Sequence, residues 1–292
     1  MTSGPAIGAR EARLIETLQR PGAAAQPKRR LGVITWWIVF LLGVIYFLGP
    51  LYATLLFSLK AQPNLAAYTN LLNDPQFGST LLYSFVVGLI TIIVSIGLIV
   101  PTAFWVRLRL PQLRRFIEFI TLLPFVVPPV ILVFGLIRGY GHPPLPLTNS
   151  ELGSNALLVA GYVVLSFPYM YRAVDVGLRS IDVQSLTEAS QSLGGGWFRT
   201  LWQVILPNLR VSLLSGAFLT LAIVIGEYTI ATFLARPAFG PYLSRLGQNR
   251  SYEPAAVSLI SFGLTWAAMG VIAFLGRSTQ GRRGGVQIAG GH

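Results

Sequence analysis

Apolar residues in this chain come in runs too long for a soluble fold, with polar residues gathered into short gaps between them. Six runs stand out, at 31–57, 80–106, 116–137, 156–171, 211–234 and 255–276. A helix needs about 20 apolar residues to cross the hydrocarbon core, so the pattern predicts an all-α integral membrane protein with six transmembrane helices. The fourth run is the shortest, and Pro168 within it predicts a kink.

The gap at 172–210 is longer than a helix-to-helix connection usually is, so it should carry structure or function. Asp182 suits an N-cap, and Ile181 with Leu186 sits at hydrophobic-staple spacing. Leu186, Ala189 and Leu193 then form an apolar stripe at helical period. Gly194, Gly195 and Gly196 end this helix and allow a sharp turn. A second amphipathic stretch, 197–205, runs up to Pro207. A helix lying on lipid headgroups is the simpler reading. However, the polar face between Asp182 and Trp197 has no Lys or Arg for headgroups, which favours a protein partner.

Composition agrees with the pattern. Of 292 residues, 53% are hydrophobic and 11% charged, against about 25% charged in a soluble domain. Mean hydropathy is +0.63. The net charge of +12 would suit a nucleic-acid binder, but the basic residues sit in short loops beside apolar spans, so they signal topology and no nucleic-acid partner is expected. Seventeen Lys and Arg fall on the side of both termini and the 172–210 loop, and five (Lys60, Arg138, Arg236, Arg245, Arg250) on the other. The positive-inside rule makes the first side cytoplasmic. The first run is longer than the apolar core of a signal peptide and lacks a clear cleavage site, so no signal peptide is expected. Residues 1–30 form a polar tail with a short amphipathic stretch at 9–19, 31–276 the membrane domain, and 277–292 a Gly-rich tail expected to be disordered.

Chemistry is sparse. With no cysteine and only His142 and His292, no metal site or cofactor is expected. The only lysines, Lys28 and Lys60, do not fit the phosphate-loop pattern G-x-x-x-x-G-K-[ST], and no Ser/His/Asp constellation lies in the spans. The chain is therefore expected to be non-catalytic.

The order Glu188-Ala189-Ser190, then Gly194, then Val204 and Leu206-Pro207, resembles the EAA loop of type I ABC-importer permeases, E-A-A-x3-G-x9-I-x-L-P. Ser190 replaces the second alanine, and Val204 the isoleucine. The resemblance implies a cytoplasmic coupling helix, within a loop at about 178–209, seated on a separate ATPase. Glu188, Ala189, Ser190, Gly194, Leu206 and Pro207 would be the ATPase-coupling residues. It further implies a prokaryotic inner-membrane subunit with two ATPase subunits, a second permease subunit (identical or related), an extracytoplasmic substrate-binding protein and the lipid bilayer as partners. The external loop at 235–254 is long enough to touch that binding protein.

Glu227 is the acid set deepest in an apolar run, and burying it costs roughly 2.5–3.5 kcal/mol on insertion scales. The G-E-Y pattern resembles the importer branch for polyamines, ferric iron, thiamine and oxyanions, and polyamine, ferric iron or thiamine is the expected solute type. Glu227, Tyr228 and Thr229 would then line the substrate path, or Glu227 would make a buried hydrogen bond holding helices together. Pro124, Pro128 and Pro129 would bend the third span as a gate or as fixed geometry. Tyr162, Ser166, Tyr169 and Tyr171 give the fourth span a polar stripe facing a pore or the interface, and Glu118 pairs with Arg114 one turn earlier. A competing function is a proton-coupled secondary transporter using Glu227. It would call for an internal repeat of broken helices, and the sequence contains none.

Overall fold

Short polar caps and proline set where the helices begin and end. The computed structural model describes residues 28–63 and 65–278. The stretch at 9–19 and the tail from 279 lie outside the described residues. The chain divides into two units, Met1–Ala53 and Thr54–His292. The described part of the first unit is the start of α1 (Lys28–Ser58). Its Trp36, Trp37, Ile45, Tyr46 and Phe47 are exposed, as suits a helix whose solvent is lipid.

The second unit opens with the short α2 (Ala66–Leu72). Asp74 then caps α3 (Pro75–Arg109) by accepting from the Gln76 N–H. Next come α4 (Arg114–Val126) and α5 (Pro129–Tyr140). Ser150 caps α6 (Glu151–Arg179), accepting from the Gly153 N–H. The remaining helices are α7 (Val183–Ser192), α8 (Trp197–Asn208), α9 (Arg210–Gly226), α10 (Thr229–Phe233), α11 (Phe239–Asn249) and α12 (Glu253–Ser278). The middle of α8, Thr200–Ile205, is a π-helix.

Helices α3, α6 and α9 pack on one another and form the centre of this unit. At one end Phe104, Met170, Val174, Leu178, Leu201 and Ile205 form a buried cluster. At the other, Val133, Leu158, Tyr162, Val224 and Ile230 form a second. Small residues let the helices approach closely, as is usual in membranes. A Cβ on Gly216 would lie 2.8 Å from the Met170 sulfur, and one on Gly177 would lie 2.6 Å from the Ser212 hydroxyl. Ser95 and Ser166 hydrogen-bond across α3 and α6 at 2.9 Å, fully buried.

Among the described residues, three stretches are long and apolar enough to cross a membrane: Thr35–Ser58 of α1, α3 and α6. Two bent pairs bring the number to five, and the described apolar part of α12 is the shorter Glu253–Leu264. The expected runs depart from the structure in four ways. The fourth is longer than its apolar stretch: α6 is one helix of 29 residues with Pro168 inside it, because capping and tertiary contacts carry it past that stretch. The third is two helices meeting at 98°. The bend sits at Val127–Pro128, both extended, since a residue before proline is pushed out of helical geometry. Pro124 stays inside α4. The fifth run ends as a helix at Gly226, well short of 234. The loop at 235–254 contains α11.

Candidate functional site

The loop between α6 and α9 folds as a helix, a turn and a second helix, as its residues predict. Asp182 caps α7: its carboxylate accepts from the Ser185 N–H at 3.1 Å and the Ser185 hydroxyl at 2.7 Å. These hydrogen bonds, the hydroxyl's first, hold the Asp182 carboxyl below the ordinary range. The turn after α7 is a Schellman motif. Gly194 takes φ +77°, its N–H donates to the Gln191 carbonyl at 2.9 Å, and the Gly195 N–H donates to the Ser190 carbonyl at 2.8 Å. Gly195 matters too, and the sequence reading did not single it out from its neighbours. A Cβ there would come within 2.7 Å of the Ser190 carbonyl oxygen. Ser190, where the motif has alanine, hydrogen-bonds Thr200 at 2.8 Å and so ties α7 to α8.

The buried face of α7 differs from the expected stripe. Val183 and Thr187 are buried and Leu186 is partly so, while Ala189 and Leu193 are exposed. Thr187 tolerates burial because its hydroxyl donates to the Val183 carbonyl at 2.6 Å. Glu188 is also exposed, held by the Gln184 amide at 3.0 Å. Leu193 at 85%, Phe198 at 67% and Trp197 at 47% exposure form an apolar edge along the turn. Leu206 packs on the buried cluster beneath, and Pro207 lies in the last turn of α8. Beyond it the chain bends by 78° into α9.

At the opposite end of α9 the chain breaks at Glu227. The side chain is buried and caps α10: its carboxylate accepts from the Ile230 N–H at 2.9 and 3.0 Å and from the Ala231 N–H at 3.2 Å. These hydrogen bonds are buried, but they close a turn three and four residues ahead and do not join packed helices. The hydroxyl of Tyr162, on α6, is buried with no hydrogen-bond partner among the described residues. Gly240 clamps the break from α11, where a Cβ would lie 2.1 Å from the Glu227 carbonyl oxygen. The Phe239 N–H donates to the buried Ser84 hydroxyl at 2.8 Å, fixing α11 to α3. Tyr228 is 46% exposed and Thr229 partly so. A second Schellman turn ends α10, with Ala235 at φ 52°. The Arg236 N–H donates to the Ala231 carbonyl at 2.8 Å and the Ala235 N–H to that of Thr232 at 3.0 Å.

A third feature, beyond the expected Arg114–Glu118 pair, ties α4 to α6. Arg114 bonds Glu118 at 3.1 Å and Asp175 at 3.4 Å, and Arg179 bonds Asp175 at 2.5 Å and Glu118 at 3.6 Å. The Asp175 side chain is 8% exposed. Its spacing to Arg179 is visible in the sequence, but its reach to α4 is not. Asp175→Asn should lower the thermal midpoint of the detergent-solubilised protein. The destabilisation expected is about 1–3 kcal/mol, discounted because both guanidinium groups are well exposed to water. An unchanged midpoint would mean that the network carries no stability.

Among the described residues no group of His, Cys, Asp or Glu could hold a metal. A family model described as binding-protein-dependent transport system inner membrane component matches residues 94–282. A probable ABC transporter permease protein of Sinorhizobium fredii is 28% identical over 273 residues, covering 86% of this chain and 46% of that protein. A putative ferric transport system permease protein of Haemophilus influenzae is 30% identical over 195 residues, covering 63% and 29%. The chain thus spans about half the length, or less, of these two relatives. A bacterial ABC transporter chain, from a structure described as involved in the import of the acidic polysaccharide alginate, aligns at TM-score 0.64 and 18% identity over 86% of this chain and 98% of that chain. That likeness is one of fold.

Proposed function

Since this chain belongs to the family of binding-protein-dependent transport system inner membrane components, we infer that it is a transmembrane permease subunit of an ATP-driven importer. It forms half of a translocation path for a small solute and hydrolyses nothing itself. Six spans cross the inner membrane with both termini in the cytoplasm. The motor is a pair of ATPase subunits that seat the α7–α8 elbow, and a second permease subunit closes the path. A binding protein delivers solute from outside.

One observation carries this reading. The turn of the elbow is stiff, because the capped α7 is locked to α8 by the Gly194 turn and the Ser190–Thr200 bond. Yet it exposes Glu188 beside Ala189, Leu193 and Phe198, the last three an apolar edge that calls for a covering protein. Such an elbow passes displacement on to α6 and α9 through a turn that holds its shape, with the π-helical middle of α8 as the part that can lengthen. The break at Val127–Pro128 supplies a pivot for the gate, and Pro128 and Pro129 set its geometry. The path runs beside Tyr228 and Thr229, with Glu227 supporting them from behind.

Glu188→Arg and Gly194→Pro should leave the chain in the membrane while the ATPase recovered by co-purification falls about tenfold or more. Reversing a charge at the contact, or removing the left-handed turn, spoils the fit. Full recovery of ATPase with both variants would defeat the reading.

A further inference from the structure

The residues after the Glu227 break border an open cavity of about 400 Å³ lined by Tyr228, Thr232, Arg236, Ser244, Arg245 and Gln248, among others. No acid is among its lining residues. By the charge count it opens on the extracytoplasmic side. We propose that this cavity is the outer solute site of the path and that it receives a small oxyanion of the sulfate, phosphate or molybdate type. The proposal rests on the permease reading and narrows its solute class, away from the polyamine type that the G-E-Y resemblance favours.

The argument starts from Arg236. Its side chain is only 14% exposed, although a guanidinium loses hydration dearly. Its Nε donates to the Leu234 carbonyl at 3.3 Å and its Nη1 to the Asn155 side-chain oxygen at 3.3 Å. That Asn155 oxygen also accepts from the Tyr83 hydroxyl at 2.7 Å, which holds it in place. The one carboxylate near Arg236 is Glu151, 3.6 Å away and itself 89% exposed, so water competes for it and it neutralises little. Arg245, across the cavity on α11, makes no ion pair among the described residues. Two arginines, Thr232, Ser244, Tyr228 and Gln248 therefore border one small space, with Tyr228, Arg245 and Gln248 exposed. Guanidinium forks match oxyanions in charge and geometry, and Ser244 and Gln248 can donate without adding negative charge, whereas the Thr232 hydroxyl is already given to the Tyr228 carbonyl at 2.6 Å. A polyamine would meet two like charges here.

The site is also built firmly. The Schellman turn at Ala235 carries Arg236 back toward α6, and Ser84 and Gly240 pin the start of α11 that carries Arg245. The backbone that carries both arginines is therefore held in place, which lowers the cost of binding.

The test is chemical protection of the full chain in lipid nanodiscs. Phenylglyoxal modifies guanidinium groups, and its reaction at Arg236 and Arg245 is followed by peptide mass spectrometry. Sodium sulfate, phosphate and molybdate are compared with spermidine and sodium chloride at matched ionic strength. At least one oxyanion should slow both reactions about fivefold or more, while exposed Arg138, outside the cavity, reacts unchanged. Arg245→Gln should weaken protection of Arg236 about tenfold in oxyanion concentration, as expected for losing a charged hydrogen-bonding partner. Glu151→Gln should strengthen it by removing a competitor. Protection by spermidine, or by no oxyanion, overturns the proposal. So does protection seen only when a binding protein is added, which would make the arginines a protein-docking contact. ATPase retention at the elbow is a separate readout, so the permease reading can stand if this proposal falls.

Discussion

Gly240→Ala is expected to abolish uptake and to lower the yield of folded protein. A Cβ at this position would sit 2.1 Å from the Glu227 carbonyl oxygen and 3.1 Å from the Tyr228 Cα. Both are backbone atoms, so no side-chain rotation relieves the clash. Either α11 lifts from the break or the break itself moves. Overpacking of this kind costs about 1–3 kcal/mol, occasionally more. Here it also pulls against the Phe239–Ser84 bond. The cavity that holds Arg236 and Arg245 is assembled from the two elements being forced apart. Uptake at matched membrane levels is the measurement, and unaltered uptake and yield would show that the close approach is not required.

The second large effect is at Glu227, where two substitutions separate its roles. Glu227→Leu keeps the bulk but leaves the Ile230 and Ala231 N–H groups without their acceptor. Stranding a buried donor costs about 1–3 kcal/mol, and α10 has five residues with which to compensate. Folded protein should therefore fall sharply. Glu227→Gln retains one oxygen for the Ile230 N–H, so assembly should survive while uptake falls. Equal folded levels for the wild type and both variants, read by size exclusion in detergent, would remove the capping role. Uptake unchanged in the Gln variant would remove Glu227 from any part in transport.

These two positions differ in how far the sequence announces them. The elbow was legible because its signals are local: Asp182 caps three residues ahead, and Gly194 answers to a φ that few other residues accept. Its buried face was not, because Thr187 counts as polar until its hydroxyl is seen bonded to its own helix. Ala189 and Leu193, which share the apolar stripe with Leu186, face outward. The run at 211–234 looked like one span because hydropathy does not register a carboxylate spent on backbone donors. The Gly226-Glu227 step was the available clue, since it breaks helical propensity just before a cap. Asp175 and Gly240 were invisible, because each matters through a partner far along the chain.

The wide turn at Thr200–Ile205 has a consequence for how motion travels. A π-helix packs more chain per unit length than an α-helix does. Drawing the elbow away from the bundle would first unwind this surplus toward the ordinary rise of about 1.5 Å per residue. On the permease reading, slack would be taken up beside the bend before α9 felt any pull. Small jitter in the subunit gripping the elbow would be filtered out, and only a full stroke would reach α9.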